Sequence, residues 1–252
     1  MSGPALIDYG RLLNVAEVEG ELLVATAHGG QPDALVPECP GLTLGDTVRH
    51  VGSVYRAVLS WIREQDRPEH WQRAPAQGQS REDYFRAGLD ELARELRSHD
   101  PDEHCETWWP ADKSYGFWRR RVAHETTIHR TDVERAARLP EREIADDVAV
   151  DGIDEVLQLW LGYRLGRIGV SGNRSGTVAV RTEGHRWLVR TEPWATAVWR
   201  AEAEEPSEGE VSAAPMDLYL WLWGRRGNQA VRIDGDVDAV LHVWALLRLA
   251  TR

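Results

Sequence analysis

The chain is poor in lysine, phenylalanine, cysteine and positive charge. Lys113 is its only lysine, so 29 of the 30 basic residues are arginine. Forty-one acids outnumber them, and the formal net charge is −11. That balance excludes the broad basic field that nucleic acids and anionic membrane surfaces require. Cys39 and Cys105 are the only cysteines. One pair is no disulfide framework, and a reducing cytoplasm is the expected setting. No run approaches about 20 consecutive apolar residues, so no membrane-spanning helix is expected. Residues 1–8 combine neither a basic segment nor a long apolar stretch, so no secretory signal is expected. Against two phenylalanines stand 12 tryptophans, expected to fill the core and the contact between domains. The 252 residues are 42% hydrophobic and 28% charged, the balance of a folded chain of one large or two small domains.

The first two thirds read as helices. Leu12, Leu13, Val15, Ala16, Val18, Leu22, Leu23 and Ala25 form a stripe over Tyr9 to His28, and Gly29-Gly30 ends it. Thr43-Leu44-Gly45-Asp46 has the form of a capping box, opening a helix that runs to about Glu64. Residues 65–79, broken by Pro68, Pro75 and Gly78, predict a loop. Ser80 caps a third helix, a fourth spans about Tyr115 to Arg138, and a fifth runs from about Asp146 to Arg164. Long helices joined by short or medium loops predict an antiparallel four-helix bundle with a linking helix.

The pattern changes near Gly166, where Gly169, Gly172, Asn173 and Gly176 make a joint. Val178–Val180 and Trp187–Val189 flank a Glu183-Gly184 turn and predict a hairpin. Ala201 to Gly209 is acidic and loop-like, and Leu218 to Trp223 fits either a helix or a strand. A short strand at Val231–Ile233 and a helix from Asp236 to Leu249 complete the chain. The expected fold class is α+β, with a helical domain over residues 1–165 and a small α+β domain over residues 166–252.

Histidine and carboxylate at helical spacing can grip one metal ion, because i and i+4 share a face. Six of the nine histidines have an acid four residues earlier: 46/50, 66/70, 95/99, 100/104, 125/129 and 238/242. Chance placement alone gives about 1.5 such pairs from this composition. Spacing therefore selects nothing, and most such pairs are expected on solvated faces. Context is more selective. Pairs 66/70 and 100/104 sit in loop-like stretches, 95/99 at a helix end, and 238/242 on the last helix. Pairs 46/50 and 125/129 lie within long helices of the bundle, where metal sites are common.

Three segments carry a resemblance. Leu42 to Val51 (LTLGDTVRHV) is similar to the second-helix motif of the mycothiol-dependent maleylpyruvate isomerase family, whose helical domains are DinB-like bundles. Arg120 to Arg130 (RRVAHETTIHR) resembles that family's later metal-binding helix. Met216 to Arg226 and Ile233 to Asp236 resemble its C-terminal domain. The resemblance implies a zinc ion held by His50, Glu125 and His129, a donor set that also suits another divalent metal such as iron or nickel. Helix geometry is compatible, since Glu125 and His129 are one turn apart while His124 is rotated about 140° from His129. Three protein ligands leave one tetrahedral position open, as in catalytic sites. Asp46 or Asp132 is expected to hold a second histidine nitrogen, with the capping box as the alternative role of Asp46. The resemblance also implies a functional arginine between the two metal motifs, for which Arg81 and Arg86 are the candidates. Cys39 and Cys105 are expected to be packing residues.

The expected function follows from the same resemblance. A zinc-bound mycothiol would attack a small electrophilic substrate, either a maleylpyruvate-like cis-enoyl acid or another electrophile, giving isomerisation or S-transfer. The expected partners are mycothiol and that substrate, with no nucleic acid and no membrane, in a cytoplasmic monomer. Two alternatives stand beside it: a hydrolase using zinc-bound water, and a non-catalytic binding scaffold on the same fold.

Overall fold

The structure, a computed structural model, describes residues 4–65, 69–202 and 204–251. Asp66 and Pro68, named above, lie outside the described residues, as does the start of the N-terminal stretch. The chain divides into two compact units, one spanning Ile7–Glu143 and one formed by the residues from Ile144 onward together with those up to Leu6. Among the described residues there are eight α-helices and five strands, a mixed α+β fold.

The first unit holds α1 (Tyr9–Gly29), α2 (Leu44–Glu64), α3 (Arg81–Arg97) and α4 (Tyr115–Ala136). α1 packs along α4 and α2 along α3, and the α1–α3 and α2–α4 contacts close a four-helix bundle. Each helix starts where a side chain accepts an otherwise orphaned backbone N–H. Asp8, Thr43, Ser80 and Ser114 do this for α1 to α4. At Thr43 the capping box is complete, because Asp46 reaches back to the Thr43 backbone N–H. α2 and α3 cross closely at Gly52. A Cβ there would lie 2.9 Å from Tyr84 Cδ1 and 3.2 Å from Phe85 Cα.

α4 is unusual in burying charge as well as apolar surface. Arg119, Arg120, Arg121, Arg130, Asp132 and Glu134 are all buried. Such groups survive burial only when paired. Arg119 donates to the carbonyls of Leu96 and His99. Arg130 bridges Glu19 and Glu134, and Glu134 also takes Arg142. α4 therefore threads the bundle interior as a polar spine, held by carboxylates and by carbonyls at a helix end.

The second unit begins with α5 (Asp146–Glu155), which continues as a π-helical stretch, Val156–Arg164, and a last α-turn, α6 (Leu165–Arg167). The π stretch is a departure from the expected single α-helix. It buries Val156, Leu157, Leu159 and Leu161. Nine residues are too few for an apolar pattern to separate the wider turn from an ordinary one. Asp154, fully buried, accepts from Gln158, from the Trp187 indole at 2.8 Å and from Arg200 at 2.7 Å. That acceptor ties the helix to the sheet.

The sheet contains β1 (Gly176–Thr182), β2 (His185–Glu192), β3 (Ala195–Arg200), β4 (Gly209–Ser212) and β5 (Arg232–Gly235), in the order β3-β2-β1-β4-β5. The expected hairpin is β1–β2, in register Val178 to Val189, with Gly184 at φ 68° in its turn. β1 and β4 run parallel, and the other pairs are antiparallel. β3 and β4 are additions to the sequence reading. β3 has no buried position, and β4, although its burial alternates, is only four residues long. α7 (Pro215–Leu222) resolves the ambiguous apolar run as a helix. Leu218 to Leu222 are all buried, so no polar face remained to reveal a helical period. α8 (Val237–Ala250), capped by Asp236, packs on β1, β4 and β5.

Candidate metal centre

α2 and α4 together place three donors at one point. His50 lies two turns into α2, while Glu125 and His129 share a face of α4. Glu125 Oε1 is 3.3 Å from His50 Nε2 and 3.3 Å from His129 Nε2. The two imidazoles meet edge to face, with centroids 5.1 Å apart. One donor atom from each residue lies within 4.8 Å of the others. Donors about 2.0–2.1 Å from a tetrahedral ion are about 3.4 Å apart. The observed spacing therefore fits a divalent cation, and two imidazoles with one carboxylate form a suitable donor set. The three side chains are 12–20% exposed, so the cluster is not fully sealed from solvent.

Each donor is held from behind. His129 Nδ1 is 3.0 Å from Asp132 Oδ2, and Asp132 is fully buried. Cys39 Sγ donates to the same Asp132 oxygen at 3.7 Å. Burial disfavours a charged His129, but hydrogen bonds to Asp132 and Glu125 outweigh it and lift its pKa to about 9. His50 Nδ1 meets Gln72 Nε2 at 3.3 Å, and Trp71 stands edge-on to the ring at 5.5 Å. Glu125 Oε2 accepts from Arg121 Nη2 at 2.6 Å. Burial disfavours the ionised Glu125 as well. The hydrogen bonds from His129 and His50, with the Arg121 charge, outweigh that and hold it well below the usual carboxylate range.

The structure thus brings together His50, Glu125, His129 and Asp132. It places Asp46 in the capping box, where its Oδ2 is 2.8 Å from Thr43 Oγ1. His124 is fully buried and stands outside the donor group. Arg81 packs its guanidinium against Gly45 at the start of α2, so closely that a Cβ there would lie 2.8 Å from Nη1. Arg86 points to Glu21 of α1, at 3.4 Å. Among the other acid–histidine pairs, His99 stacks on Tyr115 at 4.0 Å and sits between Glu95 and Glu103. The cysteines are apart, Cys39 half-buried beside Asp132 and Cys105 buried with its thiol pushed up to about 11 by burial.

Three residues at the centre carried no role in the sequence reading. Arg121 had a usable signal, because it precedes Glu125 by one turn. Trp71 and Gln72 had none. They come from an irregular segment whose position against α2 is set by tertiary contacts, including the Arg73 N–H to Ser53 Oγ bond of 3.1 Å.

Comparison with known proteins gives matches over the bundle that carries this cluster. The family model described as "Mycothiol maleylpyruvate isomerase N-terminal domain" matches residues 14–134, which include all three donors. Two solved structures share the fold. One is a histidine-to-alanine mutant of the mycothiol-dependent maleylpyruvate isomerase, with TM-score 0.62 and 13% identity. The other is the mycothiol-dependent maleylpyruvate isomerase, with TM-score 0.57 and 15% identity. Each alignment covers 92% of this chain and 95% of the other. No curated protein matches the chain in sequence. No described helix is long and apolar enough to cross a membrane. With the donors on α2 and α4 of a matching bundle, residues 14–134 carry the match to the mycothiol maleylpyruvate isomerase N-terminal domain family.

Proposed function

We propose that the protein is a metal-dependent enzyme that uses mycothiol to isomerise or conjugate a small electrophile. The observation that carries this reading is the three-donor cluster of His50, Glu125 and His129, set between α2 and α4 with its donors at coordination spacing. Zinc is the proposed metal, since two imidazoles and one carboxylate suit it and three protein donors leave room for an incoming ligand. A cation there would lower the pKa of an arriving thiol and make it a thiolate at neutral pH.

The chain's own residues supply the remainder. Asp132 orients the His129 ring, and Gln72 orients that of His50. Arg81 is the proposed anchor for a substrate carboxylate. It lies against Gly45, five residues before His50 on the same helix, whereas Arg86 is turned toward Glu21 on α1. In the isomerising reaction the thiol sulfur adds to one carbon of a cis alkene, and the electron pair moves onto the conjugated carbonyl. Rotation about the carbon–carbon bond and loss of the same sulfur restore the alkene in the trans form. The thiol returns unchanged. With an electrophile that cannot eliminate, the conjugate is the product. The hydrolase alternative needs Glu125 as a free base, but its Oε1 faces both imidazoles and its Oε2 is engaged by Arg121.

Calorimetric titration of mycothiol into zinc-loaded and metal-stripped protein tests the proposal. Binding should require the metal, and His50→Ala should abolish both metal uptake and thiol binding. Thiol binding that is equal with and without metal, or absent from both, would overturn it.

A further inference from the structure

We propose that Arg121 is a positioning residue that restricts Glu125 to a single donor oxygen and keeps the coordination number of the bound cation low. This deepens the metal-centre reading above and rests on it. The two oxygens of Glu125 are in different environments. Oε1 faces both imidazoles at 3.3 Å, while Oε2 takes the Arg121 guanidinium at 2.6 Å. A carboxylate oxygen committed to a charge-assisted hydrogen bond is a poor second donor. Chelation through both oxygens would make Oε2 share its electron density between the cation and Arg121 and so weaken this contact. The Arg121 side chain is 6% exposed, so solvent would replace little of what its charge lost.

Arg121 lies one turn before Glu125 on the inward side of α4, where the helix supports its orientation. Its positive charge also acts on the site directly, opposing the cation through the shared carboxylate. Both effects have the same consequence. Arg121 lowers metal affinity and leaves the cation less saturated, with room for an exogenous ligand. A purely structural arginine has the opposite signature, since removing it would loosen Glu125 and weaken metal binding.

The test uses the 252-residue chain, metal-stripped and titrated with Co2+. Arg121→Met removes the charge at similar length, and Arg121→Lys restores it. Arg121→Met should bind Co2+ about tenfold more tightly, because one nearby like charge is gone. Its visible d–d absorption should be weaker, as coordination rises from four toward five. Arg121→Lys should stay near the parent in both readouts. Weaker or unchanged Co2+ binding by Arg121→Met would overturn the proposal. A second measurement needs no variant. The carboxylate stretches of isotopically labelled glutamate should split widely on metal addition to the parent protein, as for one-oxygen ligation. A narrow splitting, the sign of chelation, overturns the role of Arg121 and leaves the metal centre standing. Failure to bind Co2+ at all overturns both.

Discussion

Raising the pH from 6.5 to 9 should loosen the metal-free protein while tightening its grip on a divalent cation. His129 is the reason. Its pKa in the metal-free fold is about 9, against an ordinary value of 6.5, through its bonds to Asp132 and Glu125. A raised pKa stabilises the fold fully below the unfolded value, and that contribution is lost as pH climbs through the folded one. A difference of about 2.5 units at 1.36 kcal/mol each is about 3 kcal/mol. The loss is concentrated between pH 6.5 and 9. Metal binding runs the other way, because the ring must shed its proton to ligate. Apparent affinity should therefore rise by about tenfold per pH unit across that interval, with close to one proton released per cation. Urea unfolding followed by tryptophan fluorescence, with and without chelator, reads the first slope. Zinc calorimetry in buffers of different ionisation enthalpy reads the proton. Asp132→Asn should flatten the metal-free slope and weaken zinc binding by about 10- to 100-fold. Metal-free stability that stays constant or rises from pH 6.5 to 9 would refute the assignment of His129 as the paired, proton-holding ligand.

Other consequences are local. Gly52→Ala places a methyl 2.9 Å from the Tyr84 ring and 3.2 Å from the Phe85 backbone, and should cost about 1–3 kcal/mol in urea denaturation by forcing α2 from α3. Thr43→Ala removes the acceptor for the Asp46 N–H and the capping box with it, which should lower stability by about 1 kcal/mol and raise amide exchange in the first turn of α2. Cys105, buried and with its thiol near 11, should resist a disulfide reagent at pH 8 in the native protein and react only on unfolding; mass spectrometry of the labelled peptides checks this.

Helices α1, α2 and α3 could be read from the sequence because each announces itself twice. An apolar stripe marks the body, and Thr43, Ser80 or Gly30 marks an end. α4 is the instructive case. Its periodicity is blurred because nearly every side is buried, including Arg119, Arg121, Arg130 and Asp132. Yet the resemblance of residues 120–130 singled out Glu125 and His129, and residues 42–51 singled out His50. The π stretch, β3 and β4 stayed hidden, since short segments carry too few residues to define a period.

By itself, the sequence determined which residues lie on one helix face, where most helices begin, and which donor types are available. Those are matters of local geometry, governed by the 3.6-residue turn and by side chains reaching the nearest backbone N–H. Which of the six acid–histidine pairs meets a third donor was decided by packing. His50 and Glu125 are 75 residues apart, and only the crossing of α2 and α4 brings them to 3.3 Å. The same holds for Gln72 behind His50. Side chains distant in the chain meet only where burying apolar faces forces their helices together, and no local pattern records that meeting.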